Sequence, residues 1–119
     1  MATALDTSLA YFTAWTRGDL DVAMTHVDPD VVCMAPPGRL EGAVRLRAFM
    51  EPFARSLVSS SLVSAFGDEA VAVLYYDTSS ALVASAPAAE RHTVVGGRII
   101  ELRIVFDRLP FEQARAALG

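Results

Sequence analysis

The sequence has no lysine. Its ten basic side chains are all arginine, set against fourteen acidic ones for a net charge of −4. The arginines are scattered and form no basic stripe, so a nucleic-acid partner is not expected, because such binding rests on neutralising phosphates. There is one cysteine, Cys33, which excludes an intramolecular disulfide and a cysteine-rich zinc site. The two histidines, His26 and His92, lie far apart in the chain and the carboxylates do not cluster on one face. No metal site is expected from that pattern. A glycine-rich phosphate loop is missing too, so no cofactor is implied. The first nine residues carry no basic leader and no long apolar run, and no stretch approaches the ~20 residues that cross a bilayer. A soluble, cytoplasmic chain without membrane contact is the resulting expectation.

What is present is hydrophobic: 53% of the 119 residues, with 20% charged, a composition of folded rather than disordered chains. The length suits one domain, residues 1–119, with a core of its own. No internal repeat or linker divides it. The spacing predicts a helix from Asp6 to Arg17, with Leu5, Leu9, Phe12 and Thr16 on one stripe and Ser8, Tyr11 and Trp15 on the next. Gly18 closes it and Asp19 can cap a short second helix from Leu20 to His26. Asp28-Pro29-Asp30 reads as a turn, Val31–Ala35 as a short strand and Pro36-Pro37-Gly38 as a loop. A third helix follows Gly42 to Arg55, with Leu46, Phe49, Met50 and Phe53 inward; Pro52 should kink it or end it early.

From Leu57 the period changes to two. Strands are predicted over Leu57–Phe66, Ala70–Thr78, Ala88–Val95 and Arg98–Phe106. Gly96-Gly97 joins the last pair as a two-residue hairpin. A last helical turn after Pro110 should face Phe111, Ala114 and Leu118 inward. Helices followed by antiparallel strands indicate an α+β fold.

Several words in this order resemble the nuclear transport factor 2-like superfamily, in particular its SnoaL-like branch of polyketide cyclase, ketosteroid isomerase and limonene epoxide hydrolase relatives. They are Tyr11 to Asp19 (YFTAWTRGD), Leu40-Glu41-Gly42 followed by Phe49, Gly97 to Asp107 (GRIIELRIVFD), and the closing Leu109 to Gly119. The resemblance implies a cone-shaped α+β barrel: three N-terminal helices packed in a curved, mostly antiparallel sheet, with a short C-terminal helix. It also implies an enclosed pocket and a homodimer formed through the outer sheet face, here Glu101, Arg103, Val105 and Asp107 beside Val71, Val73 and Tyr75 or their neighbours.

The family's acids are missing from their places. Tyr11 stands where the isomerases keep an oxyanion-binding tyrosine, but their base position falls on Ala35. The last-strand acid of the cyclases and epoxide hydrolases falls on Ile104. Strand alternation puts Ile100, Leu102, Ile104 and Phe106 inward and Glu101, Arg103 and Asp107 outward, where Arg103 and Asp107 can pair with each other or with a neighbouring loop. Expected ligand-binding residues are therefore Trp15, Phe49, Phe53, Leu102, Ile104 and Phe106 as apolar walls, with Tyr11 and His92 as polar anchors and catalytic candidates. Cys33 shares the inward parity of Ala35 and could touch the cavity, even as a Cys–His pair with His92. Of Tyr75 and Tyr76, one must face in. Three functions follow: a binder of a small hydrophobic ligand; an enzyme of the cyclase, isomerase or hydrolase type using His92 and Tyr11 on a hydrophobic or polyketide-like substrate; or a dimeric interaction module.

Overall fold

The structure, a computed structural model, describes residues 2–118; Met1 and Gly119, the last residue of the family-like closing stretch, lie outside the described residues. Helix α1 spans Ala4–Thr16. It starts two residues before the predicted point because Thr3 caps it: the Asp6 N–H donates to Thr3 Oγ1 and the Thr3 N–H donates to Asp6 Oδ2, both at 3.1 Å. Gly18, at φ 82°, turns the chain out of α1. Asp19 then accepts the Val22 N–H at 3.2 Å and starts α2, Leu20–Met24, shorter than predicted.

Strand β1 covers Val27–Ala35, so Asp28-Pro29-Asp30 does not break the chain as expected. It interrupts the ladder instead: the pairing of β1 with the last strand shifts register between Val27 and Val32, where Pro29 has no N–H to give. The Pro36-Pro37 turn leads into a strand that sequence patterning missed, β2 at Gly38–Glu41, which folds back on β1. Helix α3, Ala43–Ser56, runs through Pro52 to its full length rather than ending there. Strands β3 (Leu57–Gly67), β4 (Val71–Ser80), β5 (Ala88–Val95) and β6 (Arg98–Phe106) follow, then α4 (Leu109–Leu118).

The six strands form one curved sheet in the order β2-β1-β6-β5-β4-β3. Among the described residues only the β1–β6 pair is parallel. The sheet is open, with β2 and β3 at its edges, and α1 packs across β3, β4, β5 and β6. Gly96 and Gly97 make the predicted tight hairpin at φ 59° and 76°, a backbone region that only glycine enters freely.

The alternation expected on β6 fails at its start. Ile99 is fully buried and Ile100 is exposed, the reverse of the prediction, while Leu102 and Ile104 are buried as expected. The cause is a register shift between Thr93 and Val94 on β5, which adds one residue to the β6 side and inverts the faces before it. Two further expectations change. Arg103 lies against Glu101 at 3.6 Å, and Asp107 accepts the Leu109 N–H at 3.0 Å at the start of α4, so the two do not pair with each other. In α4 Phe111 is buried and Ala114 half-buried, but Leu118 is exposed.

Candidate functional site

Between α1, α3, α4 and the inner face of the sheet lies a cavity of about 420 Å³, within the usual range of small-molecule sites. Its walls are Trp15 from α1, Phe49, Met50 and Phe53 from α3, Tyr76 and Thr78 from β4, Ala88 and Glu90 from β5, and Ile104 and Phe106 from β6. Helix α4 closes one end. Phe111 sits edge-on to Phe53 and Phe106, with ring centres 6.0 and 5.7 Å away, and Arg108, Glu112 and Arg115 form a charged rim.

One charged group stands inside this apolar wall. Glu90 is 3% exposed, and both its oxygens are held by the protein. Tyr76 donates its hydroxyl to Oε2. His92 Nε2 lies 2.9 Å from Oε1, and His92 Nδ1 lies 2.8 Å from Ser8 Oγ. Ser8 donating to Nδ1 and Nε2–H donating to Glu90 satisfies every atom of this chain; that tautomer is assigned from the bonding pattern. The network runs from α1 through β5 to β4, and its members are buried. It places an acceptor-rich group in a buried wall, where its electrostatic effect is larger than at the surface.

Neighbouring acids feel it. Burial, and then the Glu90 charge, hold the Tyr11 and Tyr76 hydroxyls well above the ordinary phenol value. The same two causes push the Cys33 thiol up to about 12. Cys33 therefore stays a neutral thiol at physiological pH, and a nucleophilic Cys–His pair does not form.

Of the residues expected at the site, Trp15, Phe49, Phe53, Ile104 and Phe106 border the cavity. Tyr11, Cys33, Leu102 and His92 do not; all four are fully buried in the core behind it. Tyr11 donates to Met50 Sδ at 2.7 Å and meets the His92 ring edge-on at 5.5 Å. Tyr76 is the inward member of its pair and Tyr75 is exposed. Glu90 was not singled out from the sequence. Its signal was its position two residues before His92 on one strand, which gives both the same face.

The SnoaL-like domain model matches residues 9–102. The chain belongs to the SnoaL-like family. A solved structure of a protein from Kribbella flavida DSM 17836 is 58% identical, over 99% of this chain and 98% of that one, with a TM-score of 0.95. A nuclear transport factor 2-like protein of unknown function from Cytophaga hutchinsonii ATCC 33406 is 20% identical over 94% and 96%, with a TM-score of 0.81. A candidate SnoaL-like polyketide cyclase from Jannaschia Sp. CCS1 is 18% identical over 96% and 92%, with a TM-score of 0.79. The last two show the shared fold of the nuclear transport factor 2-like superfamily. No protein of curated function matches the chain. Within this SnoaL-like chain, Ile104, the position read as the missing last-strand acid, pairs directly across the sheet with Glu90. No helix among the described residues is long and apolar enough to cross a membrane.

Proposed function

We propose that this SnoaL-like protein binds a small, largely apolar molecule in the cavity between α3, α4 and the sheet. One observation carries the reading: a buried carboxylate, Glu90, fixed by Tyr76 and His92 in a wall that is otherwise mainly hydrocarbon. A plain core would place a hydrophobic side chain there, because burying a charge without use is costly. Trp15 is the single tryptophan and borders the cavity, so its fluorescence reports occupancy. The test is titration with apolar ligands on the parent and on Ala88→Leu, which fills the cavity from β5. Saturable quenching in the parent that Ala88→Leu removes, with the fold intact, supports the reading. Equal binding by both, or by neither, refutes it.

A second reading, an enzyme of the cyclase, isomerase or hydrolase type, is favoured by the Glu90–Ile104 pairing. The acid absent from β6 is supplied at the same depth from the adjacent strand. Glu90 would then move the proton, while His92 holds it in place without touching substrate, and Tyr11 lies one layer behind. Under this reading Glu90→Gln abolishes turnover yet keeps ligand-induced quenching of Trp15; unchanged turnover sinks it. The outer sheet face remains our proposed homodimer surface. Val73, Tyr75 and Val105 are exposed there, beside Arg91, Glu101 and Arg103. Sedimentation as a monomer at micromolar concentration would rule it out.

A further inference from the structure

The cavity wall separates cleanly into donors and acceptors. Ser56 Oγ donates to the Phe53 carbonyl at 2.8 Å, and Thr78 Oγ1 donates to the Ala86 carbonyl at 2.7 Å. Tyr76 donates to Glu90. All three hydroxyls that border the cavity therefore have their protons engaged within the protein and have only lone pairs left to offer. Glu90 as a carboxylate is an acceptor with no proton of its own. The Trp15 indole N–H has no partner among the described residues, but it has almost no accessible surface and so does not reach the open volume. The arginines of the site, exposed Arg108 just before α4 and exposed Arg115 on it, stand at the rim, and Arg108 is paired with Glu112 at 3.2 Å. Inside the rim, the described side chains present acceptors and one carboxylate, and the single unengaged donor, the Trp15 N–H, is itself buried.

A ligand matched to such a wall must bring the donors. A ketone or ester would find no interior side chain to hydrogen-bond its oxygen, and a carboxylate would in addition face Glu90 across a medium that screens little. An ammonium group is the complement: donors only, opposite in charge. The rings around the acceptors strengthen the match, since Trp15, Phe53, Phe106 and Phe111 border the same volume, and aromatic rings attract cations. The net charge of −4 favours approach of a cation to the molecule as a whole.

We infer that the cavity takes an organic amine, bound as its ammonium ion, with the nitrogen at Glu90 and the hydrocarbon frame among the aromatic side chains. This rests on the small-molecule reading above and names the chemical class for it. The test uses three ligands with one frame: phenylbutylamine, phenylbutanol and phenylbutyrate, titrated into the parent protein by calorimetry and by Trp15 fluorescence. The amine is expected to bind about tenfold or more tighter than the alcohol, the scale of one charged hydrogen bond, with the carboxylate weakest. In Glu90→Gln the amine loses its advantage and falls to the level of the alcohol, whose own affinity changes by less than the amine's. If the alcohol or the carboxylate binds the parent as tightly as the amine, the inference is overturned while the small-molecule reading stands. If none of the three binds, both fall. The parent series decides the question even should Glu90→Gln not fold.

Discussion

Replacing His92 by leucine tests how the buried chain is held. His92 has no accessible surface and connects Ser8, at 2.8 Å, to Glu90, at 2.9 Å. Leucine roughly fills the space but leaves Glu90 Oε1 and the Ser8 hydroxyl without partners in a dry interior. Leaving two buried polar groups unsatisfied, one of them a carboxylate, costs about 3–5 kcal/mol in all, at about 1–3 for each and more for a charge. For a chain of this size that is a fall in Tm of about 10–20 °C. The double variant His92→Leu, Glu90→Leu removes the stranded carboxylate as well, and only the Tyr76 and Ser8 hydroxyls remain unsatisfied. It is therefore expected to be more stable than His92→Leu alone, with a coupling of about 1–3 kcal/mol. Thermal and urea unfolding followed by circular dichroism measure both. A single variant within about 2 °C of the parent would show that the network carries little of the stability assigned to it. Two losses that simply add would show that Glu90 and His92 do not act as a pair.

Three further outcomes follow from the same structure. Cys33, raised to about 12 by burial and by Glu90, should resist thiol reagents at pH 8 in the native state and react promptly in urea. Because its folded value lies above its unfolded one of about 8.5, its contribution to stability declines as pH climbs between them, and rapid native labelling would contradict this. Asp68 is held low by the Val71 and Ala70 N–H groups, which donate to it at 2.9 and 2.8 Å. Its contribution is present above the unfolded carboxylate value of about 3.9 and lost as pH falls through the folded one. Asp68→Asn should therefore flatten the acid limb of the Tm–pH curve, and an unchanged limb would remove Asp68 from the account. At Gly67 a Cβ would lie 2.8 Å from the Val71 carbonyl oxygen and 2.9 Å from Ala72 Cβ. Gly67→Ala should cost about 1–3 kcal/mol, and a parental Tm would mean that the β3–β4 turn yields more readily than its packing suggests.

Helices α1 and α3 and strands β4 and β5 were legible because each is long and keeps one period: Leu46, Phe49, Met50 and Phe53 at helical spacing on α3, and alternation along β4 and β5. The failures share a physical cause, which is that tertiary contacts override local rules. Proline normally ends a helix, yet α3 continues past Pro52 to Ser56. Alternation assumes an unbroken ladder, and one register shift near Val94 inverted Ile99 and Ile100. Strand β2 is four residues of mixed character with a glycine at its start, and only its partner β1 makes it a strand. The site was half legible. Aromatic positions on α1 and α3 face the cavity, as periodicity implies. Glu90 escaped because a charged residue on a strand is normally solvated; the parity it shares with His92 argued the other way. His92 was correctly placed on the inner face, but its bonds to Ser8 and Glu90 depend on a helix distant in sequence.

Strand β3 carries a consequence for the molecule in bulk. Among the described residues it pairs only with β4, so one side of its backbone has no neighbouring strand. None of its eleven residues is charged and none is proline, and Val58, Val63 and Phe66 are exposed. Sheet edges are normally kept apart by the very residues missing here; two register shifts in the β3–β4 pairing are what remains. Association in concentrated solution is then expected to run through this one row of amides. The strand that completes the fold is also the place where one molecule can template another.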